Sequence, residues 1–286
     1  MKVFALAALA VVAALLTLPA PGSRRIQLPA GTIELHHEML IGDGMELSGA
    51  PSGTTLRAAG DFDGRALLVA HGARIALRNL TLEGNRDRLE QRTGLPPSNK
   101  PFSQFTRDSG VLAIGTTKLR IVGMVFRNVA GFAILVSRGH DVRIENVKVS
   151  DSGSRDRRGR NNATGGVLLE EGTSDFHVIH SEFRNIRGNG VWTHSLFASP
   201  RNVNGEIAFN VFEDLARDAI QVGHATNVKV EDNRGARIGY PAELVAFEDQ
   251  AYPVAIDTAG DVDRTVYSPQ SLHRGRRQVC RPRWFS

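Results

Sequence analysis

One cysteine, Cys280, in 286 residues leaves nothing for it to pair with. An internal disulfide framework and a cysteine-built zinc knuckle are therefore both excluded. Aromatic residues are scarce at 6%, whereas glycine occurs 29 times; that balance argues against a helical bundle and for a turn-rich architecture. Beyond Leu18 no stretch approaches the roughly 18 apolar residues that a membrane span needs. Also missing are a phosphate-binding loop, a serine-hydrolase elbow, an EF-hand spacing and a nucleic-acid-binding motif. What is present, 41% hydrophobic against 23% charged residues, excludes a disordered chain.

The two ends differ from the rest. Lys2 is followed by an uncharged run from Val3 to Leu18, then by Pro19, Ala20, Pro21 and Gly22. Residues 1–22 thus read as a secretory signal peptide, with Ala20 and Gly22 as the small residues before a cut at Ser23. The mature chain is then a soluble, secreted or periplasmic monomer with no stable membrane anchor. Residues 269–286 hold Arg274, Arg276, Arg277, Arg281, Arg283 and Cys280, and no acid. Subtracting those five arginines and Lys2 from the formal charge of +5 leaves −1 for the remainder. Global basicity therefore gives no ground for a nucleic-acid partner, and any preference for polyanions must be local. The tail also breaks the pattern described next. Back-translating it with permitted codons and moving one base forward restores an Asn corner and an alternating strand. The expectation is a folded unit of residues 23–268 followed by an aberrant, frame-shifted or truncated Arg-rich tail.

Within that unit a repeat is visible. Aliphatic residues that follow a small or polar one fall at Val111, Ile134, Val167, Val191, Ile220 and Val254, with separations of 23, 33, 24, 29 and 34. This suggests a basic turn of about 23 residues with insertions. A second column reads apolar, polar, then Asn or Asp: Phe126 to Asn128, Val149 to Asp151, Phe183 to Asn185 and Phe212 to Asp214. From its last residue to the next register point is six residues in three cases. It is sixteen after Asp151, because residues 152–163 are inserted. Each turn holds three short alternating runs, such as 111–114, 119–121 and 124–126. Such runs cannot form an independent sheet, but they can stack on the next turn as a parallel β-solenoid. The registers of a hexapeptide helix and of a leucine-rich repeat are absent. Asn146 and Asn233, near tight corners, suit stacked-amide ladders.

These residues carry a resemblance. Residues 110–233, with the openings 26–33 and 49–56, resemble the right-handed parallel β-helix family, the superfamily of pectate lyases and related polysaccharide enzymes. The resemblance implies an all-β, right-handed parallel β-helix with long loop insertions. It also implies a polysaccharide partner, but is weak for chemistry. It departs from the family in that no amphipathic capping helix is evident before Ile26.

Insertions in solenoids build the binding face. Residues 86–108 carry Arg86, Arg88, Arg92, Lys100 and Arg107; residues 152–163 carry Arg155, Arg157, Arg158 and Arg160. Both precede the first strand of a turn, where guanidinium groups suit the carboxylates of an acidic glycan. Outward positions three past each register point are Ile114, Ser137, Glu170, His194, Gly223 and Asp257. One step on lie Gly115, Arg138, Glu171, Ser195, His224 and Thr258. With coils about 4.8 Å apart, Glu170, His194 and His224 form a polar stack and are the candidate catalytic residues. His224 is one step out of register, so it needs a bulge or a strand end to join them. Arg138, Arg155, Arg157, Trp192, Gln221 and Asp257 are the candidate substrate-binding residues, Trp192 as a sugar-stacking surface.

A uronate lyase needs a base at C5 and a cation over the carboxylate; His194 or His224 fits the first role, and Arg138 or Arg155 the second. A hydrolase fits less well. Its two carboxylates stand about 5–9.5 Å apart, whereas Glu170 and Asp257 are placed about 14 Å apart by strand spacing, and Glu170 and Glu171 face opposite ways. The polygalacturonase-like Gly-His-Gly is also absent, since Gly139-His140-Asp141 reads as a turn. No metal site is assigned: His36 and His37 diverge on a strand, and calcium on Asp or Glu, though left open, has no motif. Two function classes stay open, a lyase-type enzyme on an acidic glycan and a non-catalytic carbohydrate-binding or surface structural module.

Overall fold

Short alternating runs separated by Gly, Asn or Asp bury every second residue only if neighbouring runs stack. The computed structural model, which describes residues 24–90, 95–245, 255–268, 270–274 and 278–279, does this by coiling into a parallel β-helix. The early coils use β1 (Arg24–Gln27), β2 (Gly31–Ile41), β3 (Met45–Ser48), β4 (Thr54–Ala70), β5 (Ala73–Arg78) and β6 (Thr81–Glu83). An insertion with two short helices follows, α1 (Arg86–Leu89) and α2 (Phe102–Phe105). Three strands per coil then repeat: β7 (Ser109–Ile114), β8 (Thr117–Val122) and β9 (Val125–Arg127); β10 (Ile134–Ser137), β11 (His140–Glu145) and β12 (Lys148–Ser152). The next two coils are β13 (Val167–Glu170), β14 (Ser174–Ile179) and β15 (Glu182–Ile186), then β16 (Val191–His194), β17 (Asn202–Ala208) and β18 (Val211–Leu215). β19 (Ile220–Glu231) spans two sides of its coil before β20 (Arg234–Ile238); β21 (Ile256–Asp263), β22 (Val266–Tyr267) and β23 (Ser271–Arg274) continue the stack.

The first strands, β7, β10, β13, β16, β19 and β21, pair in parallel in that order. Val111, Ile134, Val167, Val191 and Ile220 fall in one register, as their spacing predicts. The sixth point is corrected: Ile256, not Val254, pairs with Ile220, and Val254 lies outside the described residues. The segment before β21 carries no repeat signal of its own, so the spacing could not place its end. As a consequence Asp257 lies beside Gln221 rather than in the column of His194.

The second column also holds, with Phe126, Val149, Phe183 and Phe212 aligned across coils. The Asn128, Asp151, Asn185 and Asp214 that follow them all have φ of 51–58°, a left-handed corner that Asn and Asp tolerate best among residues with a Cβ. Inside the coil, Phe126, Phe176, Phe183 and Phe212 are fully buried. Gly205 makes this possible at one point, since a Cβ there would lie 2.0 Å from Phe176 Cζ.

Asn233 does belong to an amide ladder. The Ser181 amide donates to Asn210 Oδ1 at 2.9 Å, the Asn210 amide to Asn233 Oδ1 at 3.0 Å, and the Asn233 amide to Gln270 Oε1 at 3.0 Å. Asn146 is corrected. It occupies the left-handed corner (φ 53°) one residue earlier, and the ladder passes through Val147, whose amide donates to Ser181 Oγ. Asn210→Ala would leave the Ser181 amide and the Val178 carbonyl without their side-chain partner. We expect a loss of about 1–3 kcal/mol, read as a lowered urea midpoint.

The segment read from sequence as a foreign tail begins as coil. Gln270 takes the next ladder place, Ser271 and Leu272 pair with Arg234 and Gly235, and Leu272 is buried. Residues 1–23, with the proposed signal sequence and the approach to the first coil, lie outside the described residues. So do Arg92, Arg276, Arg277, Cys280, Arg281 and Arg283.

Candidate functional site

On the first-strand side, the outward residue one step past each register point forms a column: Leu112, Leu135, Leu168, Trp192, Gln221, Asp257. Its first half is apolar and must be covered. The 86–108 insertion supplies Phe102, which with Phe132 from the turn before β10 joins Leu112, Leu135 and Leu168 in a second hydrophobic cluster outside the coil. The cover stops at Trp192. Phe102 meets Trp192 edge-on at 5.0 Å and His194 at 5.8 Å between ring centroids.

Where the cover ends, a cavity of about 400 Å³ opens. Trp192, His194 and His224 form its floor, the segment 95–102 one wall and the loop after β16 the other, with Lys100 and Arg217 also lining it. Of the bulge or strand end that His224 requires, the chain takes the bulge: β19 shifts register between Gly223 and Ala225, and His224 between them has φ 44°. This brings its ring edge-on to His194 at 5.6 Å and to Phe197 at 4.4 Å.

Two adjacent glutamates hold the two walls. Glu170, with no exposed surface, accepts the amides of Phe102 and Ser103, both at 2.9 Å. Glu171, pointing the other way in a left-handed corner (φ 59°), accepts the Leu196 amide at 2.9 Å and the Ser199 hydroxyl. Burial raises the pKa of Glu170, and the hydrogen bonds from Ser103 and Phe102 oppose the rise. Neither carboxylate lines the cavity, and their oxygens are engaged in holding its sides.

Burial brings His194 down to about 4, with His224 adding to the fall and Glu171 opposing it. Burial also lowers His224; Asp261 opposes this and Arg201 adds to it. Both imidazoles are therefore neutral near pH 7 and able to accept a proton. The sign for stability follows. Between the ordinary 6.5 and about 4 the unfolded chain binds the His194 proton and the folded chain does not. Folding stability thus falls as pH falls through that window. The His194 contribution is on the order of 3 kcal/mol at most. Urea titrations of the wild type and His194→Gln across this range should show the smaller acid loss in the variant.

The other expected site residues are placed elsewhere. Arg138 is exposed at the end of β10 with φ 55°, outside the cavity. Arg155 clamps Glu90 through its amide at 2.7 Å, Nε at 3.1 Å and Nη2 at 2.9 Å, and Arg187 joins at 2.8 Å. Burial alone would raise Glu90, but these bonds bring it below its ordinary value. Arg155 thus ties the two insertions together. Arg157 is exposed and does not line the cavity. Gln221 is buried, accepting from Asn189 at 3.0 Å and donating to Asp257 at 2.9 Å. His36 and His177 pair with Asp61 and Glu206 on neighbouring coils, and His140 pairs with Asp175 in the stacked turn expected there. Phe102, Lys100, Phe197 and Arg217 line the cavity without having been singled out as a group. They come from insertions and connections outside the repeating strands, where the repeat gives no register to read.

Fold and cavity together define a parallel β-helix with a walled pocket on its first-strand side. The chain belongs to the right-handed β-helix family: residues 65–240 match the model of its right handed beta helix region. Among solved structures it is similar to PfbA, a surface adhesin of Streptococcus pneumoniae, with a TM-score of 0.66 and 11% identity over 96% of this chain and 75% of that one. It is also similar to the polygalacturonase from Erwinia carotovora ssp. carotovora, with a TM-score of 0.53 and 12% identity over 97% and 94%. At these identities the likeness is one of fold. No curated protein matches the chain.

Proposed function

We propose that this chain is an exported glycan-acting protein with lyase-type chemistry on an acidic sugar bound in the cavity over Trp192 and His194. The observation that carries the reading is the composition of that cavity. A neutral imidazole stands beside an aromatic floor, with cationic side chains in the lining and, among the described residues, no carboxylate pair. Trp192, 8% exposed, gives the floor an apolar surface against which a pyranose ring packs. Lys100 and Arg217 supply positive charge for a uronate carboxylate, the role the sequence had suggested for Arg138 or Arg155. His194 takes the C5 proton, the electron pair moves through the developing enolate to form the C4–C5 double bond, and the C4–O bond breaks; the departing oxygen takes a proton from water and the imidazolium returns its proton to the solvent, leaving an unsaturated end. A carboxylate brought next to His194 favours the imidazolium and lifts its basicity toward the working range. The fold likeness to a polygalacturonase and to an adhesin is compatible with a glycan partner.

A second reading has its own support. The low basicity of His194 suits binding without turnover, as in a carbohydrate-binding or surface module. Incubation with polygalacturonate, alginate and their oligomers separates the two. Ultraviolet-absorbing unsaturated product supports the lyase, and saturable binding with no new product supports the module. New reducing ends without absorbance would favour hydrolysis and overturn the lyase assignment. Export is tested separately, by whether the mature N-terminus is Ser23.

A further inference from the structure

Resting on the reading of the cavity as a glycan site, we propose that it receives the end of a glycan chain and not an interior stretch. A bare solenoid offers a trough along its stacked first strands, open at both ends to a passing polymer. Here the trough is filled on one side of the site. Leu112, Leu135 and Leu168, which would floor it, are at most 1% exposed beneath Phe102 and Phe132. The filling reaches the reacting position itself, since Phe102 touches both Trp192 and His194. A sugar stacked on Trp192 beside His194 therefore has no room for a further residue toward β13.

The wall is fixed in place. Both Glu170 oxygens hold backbone amides of α2 at 2.9 Å, and Ser103 Oγ lies 3.3 Å from Ser137 Oγ, all in buried surroundings. The facing wall is held in the same manner by Glu171 at Leu196 and Ser199. The volume of about 400 Å³ falls in the range of small-molecule sites, roughly 300–1,000 Å³, and is short of an extended polymer cleft. Exposed Leu95 and Phe197 mark the mouth, at 50% and 86% accessibility.

The test is a set of calorimetric titrations with one uronate polymer, polygalacturonate, cut to several mean lengths, and in parallel with alginate cut likewise. If the pocket takes ends, saturation tracks the molar concentration of chains, and blocking one terminus chemically weakens binding at least tenfold. Stoichiometry that scales with polymer mass, with no effect of blocking either terminus, overturns the inference and leaves the glycan reading intact. Failure of both uronates to bind at any length overturns the glycan reading and the inference with it. Phe102→Ala, checked for an unchanged β-sheet circular dichroism spectrum, should shift binding toward dependence on mass.

Discussion

Replacing His194 with alanine lowers turnover of the acidic glycan by about 10²–10⁴-fold, the range that a positioned general base contributes. The fold should survive the change. His194 points outward from β16 and keeps part of its surface exposed, so its loss opens no hole inside the coil. Substrate affinity should change far less than the turnover number, because Trp192, Lys100 and Arg217 still line the cavity. His224→Ala should have a smaller effect on rate, since that ring packs edge-on against His194 and Phe197 and acts by holding them. Steady-state kinetics on the most active uronate make the comparison. Unchanged rates in the His194 variant would remove it as the base.

Phe212→Ala should be the most damaging single truncation in the coil interior, at about 3–5 kcal/mol. The ring has no exposed surface and stacks on Phe183 at 5.1 Å and 11°. The backbone around it is built to its outline: a Cβ at Gly190 would lie 2.6 Å from its ring, and one at Gly235 2.2 Å from its carbonyl oxygen. Parallel ladders on both sides of its strand, β15 with β18 and β18 with β20, prevent that wall from collapsing into the vacated space. Guanidinium denaturation measures the loss. A change below about 1 kcal/mol would mean that the coil relaxes freely, contrary to the packing described.

The sequence reading succeeded where one periodic constraint governs many residues. The register points Val111 to Ile220 and the Phe126 and Phe212 column repeat because every coil must bury the same positions. The one-step offset of His224 left a bulge or a strand end open, and β19 takes the bulge. It failed where the constraint is local or distant. Asn146 carries the residue type for a ladder but sits one step early, since the same amide also suits a left-handed corner. Asp257 slipped by two positions because the segment before β21 has no repeat. Arg155 has the charge of a substrate ligand, but its partner Glu90 lies 65 residues away in a different insertion. Glu170 appeared as a member of a polar stack; that it holds α2 by two amides could not be inferred, because nothing in a repeat shows where an insertion folds back.

The most direct test follows the His194 imidazole by nuclear magnetic resonance, assigned with His194→Gln, during titration with an acidic oligosaccharide. An anion seated in the cavity stabilises the imidazolium, so the pKa of His194 should move up from about 4 as the sugar binds. Saturable binding with an unmoved His194 resonance would place the glycan elsewhere on the helix and contradict the account.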